Sequence, residues 1–229
     1  MADDGVNPAI PAATVVLLRD GPEGIETLML HRTSKVAFGG MWVFPGGKVD
    51  DGDRRDDDPD DPEAEAAARR AASRESVEEC GLLVEPDELV PFAHWTPPAI
   101  TPRRYATWFF LARAADGEIV VDGGEIHDHR WLAPSAVLAS RDAGEVDLAP
   151  PTWVTLHDLS THATVDAALA AAAAQPTLPH YVTHWHVLDE GGAVALWHGD
   201  AGYEAVDHEL PGARHRLWMV DTGWRLERT

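Results

Sequence analysis

Apolar and polar positions along the chain follow two different periods, and the change of period marks the elements. Ala13 to Arg19 (ATVVLLR) and Ile25 to Arg32 (IETLMLHR) are aliphatic and β-branched. Gly21-Pro22-Glu23-Gly24 between them is turn chemistry, so the two predict a hairpin. Met41 to Phe44 predicts a short strand running into Pro45-Gly46-Gly47. From Pro62 to Cys80 the pattern becomes helical. Asp61 can cap this helix, Pro62 suits its first position, and Glu63 and Glu65 suit the positive end of its dipole. Gly81 can end it in a left-handed conformation. Strands are predicted next at 89–95, 105–113 and 118–122, and Arg130-Trp131-Leu132 leads to a short helix at 134–141. Helices at 151–159 and 164–174 precede a return to strands at 180–188, 193–198, 214–220 and 223–228. Asp189-Glu190-Gly191-Gly192 and Asp221-Thr222-Gly223 are the turns of that last group.

Residues 1–11 read as a loose tail. No run of 18 apolar residues occurs, so no membrane span is expected. The start of the chain lacks the basic and apolar regions of a signal peptide, and Cys80 is the only cysteine, which rules out an internal disulfide. A cytoplasmic protein is the expectation. Its formal net charge of −21 repels nucleic acid and anionic membranes, so neither is expected as a partner. The same charge repels phosphate substrates unless a divalent metal or a local Arg cluster neutralises the site. Eight of the twelve residues at 50–61 are Asp, which predicts a solvated loop. An EF-hand is excluded there, because no window supplies both the Gly and the Glu that its loop requires.

The predicted helix carries the strongest chemical signal. Glu75, Glu78 and Glu79 stand at i, i+3 and i+4 and share one face, where like charges repel. A hard divalent ion such as Mg²⁺ would relieve that repulsion and keep waters for a phosphate substrate. Taken alone, the run also fits a solvated face paired by Arg70 and Arg74. Its surroundings favour chemistry: a strand and two glycines, which allow close backbone approach, precede the helix.

The run Arg74-Glu75-Ser76-Val77-Glu78-Glu79-Cys80-Gly81-Leu82, with the lead-in Trp42-Val43-Phe44-Pro45-Gly46-Gly47, resembles the box of the Nudix family, G-x5-E-x7-R-E-U-x-E-E-x-G-U. Ser76 departs from the aliphatic U. The first half is stretched by the Asp-rich insertion, which leaves Glu65 one place from where the early Glu would fall, at Ala66. The insertion, His94-Trp95-Thr96-Pro97 and Pro102-Arg103-Arg104-Tyr105 resemble the peroxisomal coenzyme A diphosphatase branch and its bacterial relatives.

This resemblance implies an α/β/α sandwich with a mixed β-sheet over 12–175 and the box at 46–82, and the strand pattern adds a small C-terminal antiparallel β extension at 176–229. The extension would shape the substrate pocket or a homodimer interface. It further implies Mg²⁺ or Mn²⁺ held by Gly46, Glu75, Glu78 and Glu79, with Arg74 orienting a box carboxylate. Catalysis would use Arg74, Glu75, Glu78 and a later acid, Glu125. A small nucleotide-type substrate would meet Trp42, Gly47, Arg103 and Arg104, with Trp95 a second ring for stacking on a base. The expected reaction is cleavage of a diphosphate linkage, with coenzyme A or an acyl-coenzyme A as the first substrate expectation and ADP-ribose or NADH as alternatives. A non-catalytic nucleotide sensor and an acidic scaffold are the alternatives of other classes. The H-x-H pairs His127/His129 and His184/His186 lack an evident third metal ligand, and Cys80 reads as packing.

Overall fold

The structure, a computed structural model, describes residues 8–33, 39–56, 58, 64–121 and 123–229. The chain forms two compact units, Pro11–Ala93 with Thr107–Pro179, and His94–Ala106 with His180–Thr229 and the described residues up to Ile10.

In the larger unit, β1 (Ile10–Gly21) and β2 (Gly24–Arg32) make the expected hairpin, with Leu18 opposite Thr27 and Gly21 opposite Gly24. β3 (Trp42–Val43) pairs with β2, and β4 (Gly46–Lys48) pairs with β1. Helix α1 (Glu65–Cys80) follows, then β5 (Val90–Thr96), β6 (Tyr105–Arg113) and β7 (Ile126–Leu132), which returns to pair with β2. The strand order is β3-β2-β1-β6-β5. Helices α2 (Pro134–Asp142), α3 (Pro150–Leu159) and α4 (Val165–Ala173) complete the unit. One sheet face buries Ala13, Val15, Leu17, Leu28, Leu30 and Phe110 against Ala68, Ala71 and Ala72 of α1. Strand alternation turns the buried Val16, Leu18 and Met29 to the other face, and α2 packs against β2 and α3. The alanines explain why α1 seats closely: no long side chain holds it off the sheet.

In the smaller unit the end of β5 pairs in parallel with β8 (His180–Val182), which makes the sheet a mixed one. A separate antiparallel sheet has the order β12-β11-β10-β9, from β9 (His184–Val187), β10 (Ala193–Leu196), β11 (His215–Val220) and β12 (Gly223–Arg228). Its interior holds an ion pair, with Arg216 donating to both carboxylate oxygens of Asp200 at 2.7 and 2.5 Å. Asp200 also accepts from the backbone N–H groups of Gly202 and His215.

Four expectations need correction. α1 begins at Glu65 behind Ala64, which makes no side-chain cap; Asp61, Pro62 and Glu63 lie outside the described residues. Gly81 does end it, at φ 77°. No strand forms at 118–121, because the Val120 N–H donates to the Cys80 carbonyl while Ile119 and Val121 pack on the core as irregular chain. The segment 180–188 divides at the buried Thr183 into β8 and β9, which pair with different partners. The start of the Asp-rich stretch is exposed at Asp50, Asp51 and Gly52, as a solvated loop would be, but Asp51–Asp53 form a 3₁₀ turn in which Asp53 is buried and Arg74 neutralises it.

Candidate active site

The site grows from the edge of α1 that the sheet leaves uncovered. Ala68, Ala71, Ala72 and Cys80 face the core, and this rotation sets Arg74, Glu75, Glu78 and Glu79 around the rim toward β4. Ser76, the departure from the aliphatic position of the box, is fully buried. Its hydroxyl donates to the Leu82 carbonyl at 2.6 Å, so it ties down the chain after the helix where an aliphatic group would only pack. The Cys80 thiol donates to the Ser76 carbonyl, and burial raises its pKa, both of which suit packing rather than nucleophilic attack.

Arg74 is the hub. It donates to Glu75 at 2.8 Å and to Glu78 at 3.0 Å, and it meets both oxygens of Asp53 at 3.1 and 2.8 Å. A fifth bond runs to the Lys48 carbonyl at the end of β4. The fork-shaped guanidinium thereby fixes two helix carboxylates relative to the glycine turn. Burial raises the Glu75 pKa against the pull of Arg74, and the neighbouring Glu78 and Asp50 charges add to the rise.

Glu79 lies deeper. It accepts from the Gly46 N–H at 2.9 Å and from Arg32 at 3.1 Å. Burial pushes its carboxyl up to about 7, in spite of those two donors. The glycines matter here through close approach. A Cβ on Gly47 would overlap the Glu75 carboxylate, and one on Gly46 would stand 2.5 Å from the Ala13 carbonyl oxygen. Glu125 reaches the same corner: its carbonyl accepts from the Thr33 N–H, and its side chain pairs with Arg32.

The structure therefore brings Gly46, Gly47, Arg74, Glu75, Glu78, Glu79 and Glu125 into one connected network. Trp42 sits beside it on β3 but is buried, with the His31 ring stacked at 5.0 Å and the Arg130 guanidinium 5.1 Å from its centre. Arg103 and Arg104 belong to the smaller unit. Arg103 lies over the Tyr105 ring, and Arg104 donates to the Pro97 carbonyl. Trp95 is buried and stacked on Tyr181 at 3.8 Å, which removes the ring expected to meet a base.

Two members escaped the sequence reading. Asp53 stands six residues after Gly47, which is the G-x5-E spacing itself with Asp for Glu. The insertion thus follows the early acid of the box instead of displacing it, and Glu65 pairs with Arg69 one turn along the helix. Arg32 had no motif to mark it; it reads as the polar end of an apolar strand.

The donors suit a hard cation, because Glu75, Glu78 and Glu79 offer only carboxylate oxygen. Each is turned toward an arginine, and among the described residues no three acidic, His or Cys groups converge as a ready metal cluster. The H-x-H side chains are engaged otherwise: His184 and His186 bond the Tyr203 and Val206 carbonyls through Nδ1, and His127 packs on His31. No helix among the described residues is long and apolar enough to cross a membrane.

The family model of the NUDIX domain matches residues 8–181. The chain belongs to the Nudix family. An RNA pyrophosphohydrolase of Dinoroseobacter shibae is similar to it, at 34% identity over 115 residues. That match covers 43% of this chain and 64% of the relative, so the Nudix chain spans less than two thirds of that protein's length. Among solved structures, a NUDIX hydrolase from Alicyclobacillus acidocaldarius matches with a TM-score of 0.64 and 24% identity, covering 76% of this chain and 99% of that one. The NUDIX domain of Shewanella oneidensis NrtR, complexed with ADP ribose, matches at TM-score 0.50 and 15% identity over 70% of this chain and 92% of that one. At such identities the structural matches speak for the Nudix fold.

Proposed function

We propose that this Nudix protein is a divalent-metal-dependent hydrolase that cleaves the diphosphate linkage of a nucleotide-like metabolite. The observation that carries the reading is the surplus of acid in the network. Asp53, Glu75, Glu78, Glu79 and Glu125 gather around two arginines, Arg32 and Arg74. A cluster so composed in a chain of net charge −21 lacks positive charge, and an anionic substrate would add to the deficit.

Nudix proteins generally use divalent ions such as Mg²⁺ or Mn²⁺, and Glu75, Glu78, Glu79 and the Gly46 carbonyl would hold one here. Bound there, the ion would neutralise phosphate oxygens and acidify water. Arg74 keeps Glu75 and Glu78 aligned with the glycine turn. Glu78 and Glu125 have the more exposed carboxylates, which supports them as the groups that would take a proton from an attacking water. Gly47, whose missing Cβ leaves room for the Glu75 carboxylate, would meet the substrate along the turn. Trp42, under the His31 ring, supports that edge.

Coenzyme A or an acyl-coenzyme A is the first substrate choice, supported by the resemblance of the insertion and of His94-Trp95-Thr96-Pro97. The neighbour complexed with ADP ribose supports that ligand as the second reading. The test is hydrolysis of coenzyme A, an acyl-coenzyme A, ADP-ribose, NADH and RNA with a 5′-terminal phosphoanhydride, with Mg²⁺ or Mn²⁺ and with EDTA. Products are identified by mass spectrometry. Metal-dependent cleavage that falls on the order of 10²–10³-fold in Glu78→Gln is the expected result. Ligand binding without turnover of any substrate would replace the enzyme with a nucleotide sensor.

A further inference from the structure

We propose that Arg32 is a positioning residue that clamps Glu79 and Glu125 together, so that the later acid is carried to the helix carboxylates by the end of β2. The proposal rests on the reading of Glu79 and Glu125 as parts of the hydrolytic site.

Three separate pieces of chain meet at this guanidinium. Glu79 comes from α1, 47 residues along the chain, and Glu125 from the approach to β7, 93 residues along. Nη1 donates to Glu79 and Nη2 to Glu125, so one cation holds two acids through different nitrogens. The Arg32 side chain is only 12% exposed. A buried guanidinium is retained at such a place when its charge is matched, and here two carboxylates match it.

The backbone supports the same geometry. β2 and β7 pair in regular antiparallel register from Thr27 opposite Leu132 to His31 opposite Asp128. The register then shifts, and Arg32 faces Ile126, which leaves His127 as the extra residue. The shift brings Glu125 level with the end of β2, where its carbonyl accepts from the Thr33 N–H at 2.8 Å. Bulges of this kind re-aim side chains beside active sites. Without the guanidinium, Glu79 and Glu125 would face each other as like charges, while the backbone bond from Thr33 would still hold the Glu125 main chain. A lysine cannot replace it, because a single ammonium does not present two nitrogens to two carboxylates.

The experiment uses the full chain and compares wild type, Arg32→Ala, Arg32→Lys, Glu125→Gln and the double variant Arg32→Ala/Glu125→Gln. Amide hydrogen exchange reads the clamp directly and needs no substrate. Arg32→Ala is expected to speed exchange at Thr33 and through 123–127 roughly tenfold or more, with the amides of β1 unchanged. With a substrate that the wild type cleaves, Arg32→Ala should lower kcat about tenfold or more at constant KM. The double variant should then be no worse than the poorer single one, because the two residues act as a unit. Arg32→Lys should behave as Arg32→Ala does, and it serves in its place should the alanine variant fail to fold. Unchanged exchange at 123–127 overturns the clamp. So do losses that multiply together with a raised KM, which would make Arg32 a direct substrate contact. A wild type inactive on every substrate defeats the hydrolase reading alone, and exchange still decides the clamp.

Discussion

Two arginine–carboxylate networks in this molecule are built to opposite rules. In the C-terminal sheet, Arg216 and Asp200 are matched one to one, at 1% and 0% side-chain exposure. Burial alone would raise the Asp200 pKa, but the guanidinium and two backbone N–H groups overcome it and hold the carboxyl at about 2. Around the box, six carboxylates, Asp50 included, meet two arginines, and the deepest acid, Glu79, is pushed up to about 7. The first network is closed and has nothing left to bind. The second gathers more carboxylates than arginines, and on the proposed function that excess would take a cation. A count of salt bridges would not separate them, whereas the balance of charge in each does.

The comparison breaks most sharply at the closed pair. Arg216→Met leaves Asp200 buried without its cation, and such a loss costs about 3–5 kcal/mol. Urea unfolding of the full chain should show the loss, while kcat per folded molecule stays as in wild type. A stability change under about 1 kcal/mol would mean that the closed pair contributes no more than a surface bridge does.

The open network is sharpened next at Asp53. Its carboxylate is 6% exposed and meets two nitrogens of Arg74, while Arg70 donates to its carbonyl at 2.6 Å. Asp53→Asn keeps the shape and removes the charge that holds Arg74, so kcat/KM should fall about 10–100-fold, the range found for groups that orient metal ligands. Asp53→Glu, which restores the acid usual in the box, should recover most of it. Equal losses in both variants, tracking a lower Tm, would reduce Asp53 to a packing residue.

Much of this was legible along the chain. The helix carboxylates, Gly46 and Gly47 follow from short fixed spacings, and so does the hairpin of β1 and β2, because each depends on neighbours a few residues away. Asp53 was legible too, at six residues past Gly47, but the surrounding aspartates hid it: in a run where eight of twelve residues are Asp, composition cannot say which one an arginine will bury. Arg32 was not legible. Its role arises where β2, α1 and the approach to β7 converge, and a one-residue register shift decides which residue faces it. The strand expected at 118–122 failed for a related reason, since β-branched residues fit a core surface whether or not a strand lies beside them. The end of α1 is that surface here.

The smallest effect expected is on pH. The Glu79 carboxyl moves from an ordinary value of 4.5 to about 7 in the fold, chiefly through burial. A raised folded-state pKa adds stability that is fully present below 4.5 and is lost as pH rises through 7, so the metal-free protein should weaken across that window. A divalent ion needs the ionised carboxylate and therefore competes with the proton. Affinity for Mn²⁺ should rise with pH up to about 7 and level off above it, a gain of about tenfold between pH 6 and 8 for one such group. Calorimetric titration with Mn²⁺ at the two values measures it, and Glu79→Gln should flatten the dependence. An affinity that is already independent of pH in the wild type would show that Glu79 stays outside the cation site. The open network would then be held open by Glu75 and Glu78 alone.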